Sequence, residues 1–128
     1  MKNLKNKKVL ITGGARGIGN MIALEFAMKG ADIIICDSDK SFFNKDDFKK
    51  NIKEIEDIGV SCYGFYLDVT KYEDIVRERK SILDLVGKID VLVNNAGVVF
   101  GGKFLEVPIK KHRLTFDVNT QGIINMLH

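Results

Sequence analysis

The chain has 128 residues, 45% of them hydrophobic, with a formal net charge of +3 and a mean hydropathy of −0.01. That is one domain's worth of chain with the composition of a globular protein. No apolar stretch approaches the roughly 18 residues a membrane span needs, the basic run Lys2–Lys8 lacks interleaved aromatics for nucleic acid, and a strand, not a signal-peptide core, follows it. Cys36 and Cys62 lie in apolar runs without Cys-x-x-Cys spacing, which predicts core thiols in a reducing, cytoplasmic setting.

Val9-Leu10-Ile11 reads as a strand, and Thr12-Gly13-Gly14-Ala15-Arg16-Gly17-Ile18-Gly19 follows at once. A glycine-rich turn feeding a helix is the physical form of a pyrophosphate site. Gly13 permits a tight exit from the strand, and Gly17 and Gly19 let backbone and helix approach a phosphate. The helix N-terminus then turns free N–H groups and its positive dipole end to the anion. The spacing is Gly-x-x-x-Gly-x-Gly, not the Gly-x-Gly-x-x-Gly of the common dinucleotide fingerprint. The helix is predicted from Gly17 to Lys29, with Ile18, Ile22 and Phe26 inward and Gly30 at its end.

Ala31–Cys36 reads as a buried parallel strand ending in Asp37, at the distance from the glycine turn where a carboxylate meets ribose hydroxyls and repels a 2′-phosphate. Asp39 stands close enough to compete for that role. Ser38–Lys45 is expected to be a mobile polar loop, followed by a helix over Asp46–Asp57. A third strand, Val60–Leu67, ends in Asp68-Val69-Thr70. Asp68 is placed to meet an adenine edge or simply to solvate the strand end, and Thr70 with Glu73 forms a predicted capping box for a helix over Tyr72–Val86. The fourth strand, Ile89–Val93, ends in Asn94-Asn95-Ala96-Gly97, small and amide residues suited to backbone close to a ligand or to pairing with neighbouring backbone. A last helix runs from Pro108 through Phe116 and Ile123 to Leu127. His112 is expected on its solvated face, and no residues stand at metal-ligand spacing. Strands alternating with helices predict right-handed crossovers and one parallel α/β sheet. All four strand ends carry small or polar clusters at the carboxyl edge, where ligands sit in such sheets.

Thr12–Gly19, Asp68-Val69, Asn94-Asn95-Ala96-Gly97 and Asp117-Val118-Asn119, in this order, resemble the short-chain dehydrogenase/reductase family from about Lys7 to the last residue. Val9–Gly19 with Val91–Val99 looks most like the retinol and hydroxysteroid dehydrogenase branch. The resemblance implies a Rossmann-type doubly wound sheet of order 3-2-1-4, filling 1–128 as one dinucleotide-binding domain and truncated after the fourth strand and its following helix. It implies cofactor contacts from Gly13, Arg16, Gly17, Ile18, Gly19, Asp37, Asp68, Val69, Asn95, Ala96 and Gly97, and it gives Asn119 the support of a proton-relay water. NAD is expected over NADP on account of Asp37, although Arg16 in the turn favours a 2′-phosphate.

The family moves a hydride between nicotinamide and an alcohol or carbonyl carbon, with a Tyr-x-x-x-Lys pair as general acid/base and a Ser orienting the substrate oxygen. Tyr63, Tyr66 and Tyr72 are followed four residues on by Leu67, Thr70 and Val76, so no such pair is present. The resemblance therefore implies the cofactor-binding half of an NAD(H)-dependent oxidoreductase for a small alcohol or carbonyl substrate, inactive alone. It also implies a homo-oligomer or completion by a second chain, without nucleic acid or membrane as partner. A noncatalytic nucleotide-binding module, or half of a split enzyme, is the alternative.

Overall fold

A computed structural model describes residues 3–128; Lys2 of the basic segment lies outside them. Four parallel strands, β1 (Lys8–Thr12), β2 (Asp32–Asp37), β3 (Cys62–Tyr66) and β4 (Val91–Val93), form one sheet in the order β3-β2-β1-β4. This is the expected Rossmann-type order. Helices α1 (Gly17–Met28), α2 (Asp46–Asp57), α3 (Tyr72–Val86), α4 (Ile109–Phe116) and α5 (Gly122–Leu127) connect or follow the strands.

The central strands are apolar on both sides because both faces of the sheet are covered. Val9, Ile11, Ile33 and Ile35 point to one face, with Ala23 and Ala27 of α1 and Ile55 of α2. Leu10, Ile34 and Cys36 point to the other, under Ile75 and Ile82 of α3. β1 lies between β2 and β4 in register Leu10–Ile34 and Leu10–Leu92.

Several expectations need correction. In α1 the inward stripe is Gly19, Asn20, Ala23 and Ala27, while Ile18 is 73% exposed and Ile22 and Phe26 lie at the rim of the core. Small side chains let this helix sit close to β1, so its buried face is the less hydrophobic one. The segment after Asp37 is also not a loose polar loop. Phe42–Asn44 makes a short 3-10 turn, and the Phe42 and Phe43 rings pack edge-on against Phe48, at 5.7 and 4.7 Å. Gly64 of β3 accommodates this, since a Cβ there would lie 2.8 Å from Phe48 Cζ. At α3, Lys71 occupies the N-cap position without a side-chain cap. The Thr70 amide and hydroxyl instead donate to Asp68 Oδ1 (2.9 and 2.7 Å), an Asx turn that uses Thr70 before it can cap the helix.

The last helix is not continuous. A π turn at Asp117–Gln121 separates α4 from α5. Beyond it α5 docks on the third crossover: Gly122 lies against Val69, Asn125 Nδ2 donates to the Val69 carbonyl (2.8 Å), and Tyr72 Oη meets His128 Nδ1 (2.7 Å). His112 is half-exposed on its helix face, its Nε2–H donating to the Phe104 carbonyl at 3.0 Å. At the amino edge of the sheet, Lys8 ties the strands together. Its ammonium pairs with Asp32 and its amide donates to Asp90 Oδ2 (2.9 Å). The carboxyl edge is thus the free one.

Candidate functional site

A cleft of about 300 Å³ opens at the carboxyl edge of the sheet, where β1, β2, β3 and β4 end. Its wall brings together Gly13 and Arg16 from the glycine turn, Asp37 from β2, Asp68 and Val69 after β3, and Asn95, Ala96 and Gly97 after β4. Eight of the residues singled out in the sequence therefore share one surface. Gly17, Ile18, Gly19 and Asn119 are not part of the wall.

The turn is built by hydrogen bonds from three strands. The Gly13 and Gly14 amides donate to the Cys36 carbonyl (2.7 and 3.3 Å), which folds the turn back over β2. Gly13 has φ +65°, and a Cβ there would lie 3.0 Å from Ala96 Cα. Gly19 is tighter still, since its Cβ would lie 2.3 Å from the Gly13 carbonyl oxygen and 2.6 Å from Asn95 Nδ2. Gly19 thus acts from behind the turn, by letting α1 start directly beneath it.

Asn95 and Thr12 join β1 to β4. Asn95 Nδ2 donates to the carbonyls of Thr12 and Gly13, both at 3.1 Å. The Thr12 hydroxyl accepts the amides of Asn95 and Ala96, again at 3.1 Å, and donates to the Val93 carbonyl at 3.4 Å. The Asn95 side chain is therefore spent on holding the turn, and what it offers the cleft is position. Thr12 opens the glycine motif, but the role of its hydroxyl is not visible in the sequence, because a threonine at a strand end looks like an ordinary β residue.

Asp37 faces the cleft beside the turn. Its Oδ2 accepts the Ala15 amide (3.3 Å) and its Oδ1 the Asp39 amide (3.2 Å). These long bonds leave carboxylate lone pairs free. Arg16 stands opposite as the one cation among the described residues of the wall, its Nη2 3.7 Å from Asp39 Oδ2 and its guanidinium 5.4 Å over the Phe42 ring. Ser41 first, with the Phe42 and Ser41 amides, holds the Asp39 carboxyl below its ordinary range. Asp39, Ser38, Leu67, Val98 and Val118 also line the cleft. Of these only Asp39 had a polar signal readable in the sequence.

The α1 N-terminus points into this edge without a side-chain cap and with no acid in its first turn, whereas α2 and α3 carry Asp46, Asp47 and Glu73, Asp74 there. Its N–H groups and positive dipole end are left for an external acceptor. Asn119 lies in the π turn, and its amide straps the strand past Gly97. Oδ1 accepts the Val98 amide and Nδ2 donates to the Val98 carbonyl, both at 2.8 Å. A π turn that aims one side chain into a loop is a common device at functional sites.

A parallel sheet of order 3-2-1-4, with an open cleft at its carboxyl edge and a glycine turn at its first crossover, defines a Rossmann-type α/β protein. The model of the short chain dehydrogenase family matches residues 7–128. The chain belongs to the short-chain dehydrogenase/reductase family, whose members are oxidoreductases. It is 37% identical over 124 residues to human short-chain dehydrogenase/reductase 3, covering 95% of this chain and 39% of that one. It is 33% identical over 119 residues to human epidermal retinol dehydrogenase 2, covering 92% and 37%. Among solved structures it superposes on a short-chain type dehydrogenase/reductase from Mycobacterium marinum with a TM-score of 0.86 and 27% identity, covering 98% of this chain and 49% of that one. NAD+-bound xylitol dehydrogenase gives 0.84 and 28%, covering 98% and 47%. The chain spans about two fifths of the length of the curated relatives. No helix among the described residues is long and apolar enough to cross a membrane.

Proposed function

We propose that the cleft binds NAD(H), and that these 128 residues are the cofactor-binding half of an oxidoreductase for a small alcohol or carbonyl compound. The observation that carries this reading is the meeting of a side-chain-free cradle at Gly13 and an acceptor-rich Asp37 on one cleft wall, with the uncapped N-terminus of α1 starting just past Arg16 of that wall. An anion, a closely approaching backbone and a diol each find a complementary group there.

In this reading the amides at Gly17, Ile18 and Gly19 hold the pyrophosphate, and Asp37 accepts the ribose hydroxyls. Asp68 and Val69 flank the adenine, and Asn95, Ala96 and Gly97 carry the β4 turn past the nicotinamide side. Asn119 fixes the Val98 backbone and supports a relay water. The bound nicotinamide supplies hydride-transfer chemistry, and the chain's own part is binding and orientation. Proton transfer needs a donor beside the substrate oxygen, and the Tyr-x-x-x-Lys pair that provides it in this family does not occur in these residues. The chain by itself is therefore a binding module without turnover, acting with residues from elsewhere, whether in a homo-oligomer of a longer chain or from a second polypeptide.

Calorimetric titration of NADH and NADPH into the purified chain tests the reading. NADH binds more tightly, and Asp37→Ala gains affinity for NADPH. Tighter binding of NADPH to the wild type, or no gain in the variant, contradicts it. Oxidation of NADH with a panel of ketones and aldehydes, absent from a mock purification, would show that the proton donor lies within these residues.

A further inference from the structure

Asp37 accounts for repulsion of a 2′-phosphate, but it leaves Arg16 unexplained. A guanidinium in the glycine turn would ordinarily favour that phosphate, because its planar fork matches phosphate oxygens. Its partners in the structure give a reason why it need not. Arg16 Nη2 lies 3.7 Å from Asp39 Oδ2, and the guanidinium lies over the Phe42 ring at 5.4 Å.

These two contacts are one device. Asp39 Oδ1 accepts the Ser41 amide (3.0 Å), the Ser41 hydroxyl (2.6 Å) and the Phe42 amide (3.3 Å). The same carboxylate thus starts the 3-10 turn that sets Phe42 in place, while its other oxygen faces Arg16. Phe42 is only 6% exposed and locked against Phe48, so the surface under the guanidinium is fixed. The Asp37 carboxylate in turn accepts the Asp39 amide, which links both acids in one short segment.

We propose that Asp39 is a second determinant of cofactor choice, a positioning residue that engages Arg16 against Phe42 and so withholds from a 2′-phosphate the one cation on the described cleft wall. The inference rests on the cleft being the dinucleotide site. Selection against NADP then has two layers. Asp37 opposes the phosphate directly, and Asp39 neutralises the group that would attract it.

Asp39→Asn tests this, because the amide oxygen can still accept the Ser41 and Phe42 amides while the charge facing Arg16 is removed. The double variant Asp39→Asn/Arg16→Ala and the single Arg16→Ala complete the cycle, with NADH and NADPH as titrants. Asp39→Asn is expected to raise NADPH affinity by about 5-fold, the upper end for one exposed ion pair, and to shift the NADPH-to-NADH preference in the same direction. Arg16→Ala in the double variant is expected to erase that gain. A gain that persists without Arg16 would mean that Asp39 acts by simple charge repulsion, and it would overturn the proposal, as would no gain at all. Asp39→Ser, which keeps a short acceptor, is expected to behave like Asp39→Asn, and NADPH affinity unchanged in both overturns the proposal. If the wild type and every variant bind neither dinucleotide, the cofactor reading itself fails. NADH binding without a change in NADPH preference refutes only the role of Asp39.

Discussion

Gly19→Ala separates packing from helix propensity, because the two give opposite signs. Gly19 lies in the first turn of α1, and by propensity alone alanine in a helix is favoured over glycine by about 0.8–1 kcal/mol. The structure says the reverse. An added Cβ would lie 2.3 Å from the Gly13 carbonyl oxygen and 2.6 Å from Asn95 Nδ2. Neither neighbour can yield freely, since one is backbone and the other bridges the Thr12 and Gly13 carbonyls. Overpacking of this kind costs about 1–3 kcal/mol, and each hydrogen bond lost from Asn95 costs about 0.5–1.5 kcal/mol more. Net of the propensity gain, the expected loss is about 2–3 kcal/mol, a large share of the roughly 5–15 kcal/mol that holds a domain together. Gly17→Ala is the control, because nothing lies within 4 Å of its Cβ position and only its φ of +59° is strained. That strain costs about 1–2 kcal/mol. Urea unfolding followed by circular dichroism measures both. With a slope of about 1–3 kcal/mol per molar, Gly19→Ala is expected to lower the midpoint by about 1–2 M, more than Gly17→Ala does. A raised midpoint, or a smaller loss than in the control, would refute the packing argument.

Gly122→Ala should push α5 off the third crossover, since its Cβ would lie 2.6 Å from Val69 Cγ2; the expected cost is about 1–3 kcal/mol, and hydrogen exchange should speed up at Asn125–Leu127 but not in α2. The Asp32 carboxyl is desolvated by burial, which opposes ionisation, but the Lys8 ammonium and the Ser61 amide outweigh this and hold it below the ordinary range. A depressed carboxyl stabilises above its unfolded pKa of about 3.9 and loses that contribution as pH falls through the folded value. The stability difference between wild type and Asp32→Asn should therefore be constant near neutrality and shrink below about pH 4; a difference that does not change with pH would contradict the assignment. Burial first, then the Asp37 charge, pushes the Cys36 thiol up to about 12, and burial with the Glu56 charge does the same for Cys62. Thiol reagents at mildly alkaline pH should label neither until urea unfolds the chain, whereas rapid labelling of the folded protein would show that one of them is accessible.

The elements legible in the sequence were those whose hydrophobic period matched their packing. The bounds of α2 and α3 fall where the sequence placed them, at Asp46–Asp57 and Tyr72–Val86, and their buried residues, Phe48 and Ile55, Ile75 and Ile82, recur at helical spacing. The parallel sheet followed from alternation with helices, and its order 3-2-1-4 from the family resemblance. What failed to show was carried by residues without a period. The inward face of α1 is Gly19, Asn20, Ala23 and Ala27, so the larger Ile18, Ile22 and Phe26 at helical spacing pointed to the wrong face. The Phe42–Asn44 turn depends on a ring cluster that closes only once Phe48 and Gly64 meet. In the cleft, Gly13, Asp37, Asp68 and Asn95 were visible as strand-end punctuation. Their hydrogen bonds were not, because the partners of Asn95 lie 82 and 83 residues away, and Thr12, although it opens the glycine motif, shows no partner for its hydroxyl in the sequence. The π turn at Asp117–Gln121 continues a good helical pattern, and only the strap from Asn119 to Val98 reveals why the helix is interrupted there.

The central claim, that the carboxyl-edge cleft is a dinucleotide site, is tested most directly by following backbone amide resonances of the chain during titration with NAD+. Saturable shifts are expected at Gly13, Ala15, Gly17 to Gly19, Asp37, Asp68 and Asn95 to Gly97, with Lys8, Asp32 and Asp90 at the opposite edge of the sheet unmoved. Shifts centred away from the carboxyl edge, or none at saturating nucleotide, would contradict it.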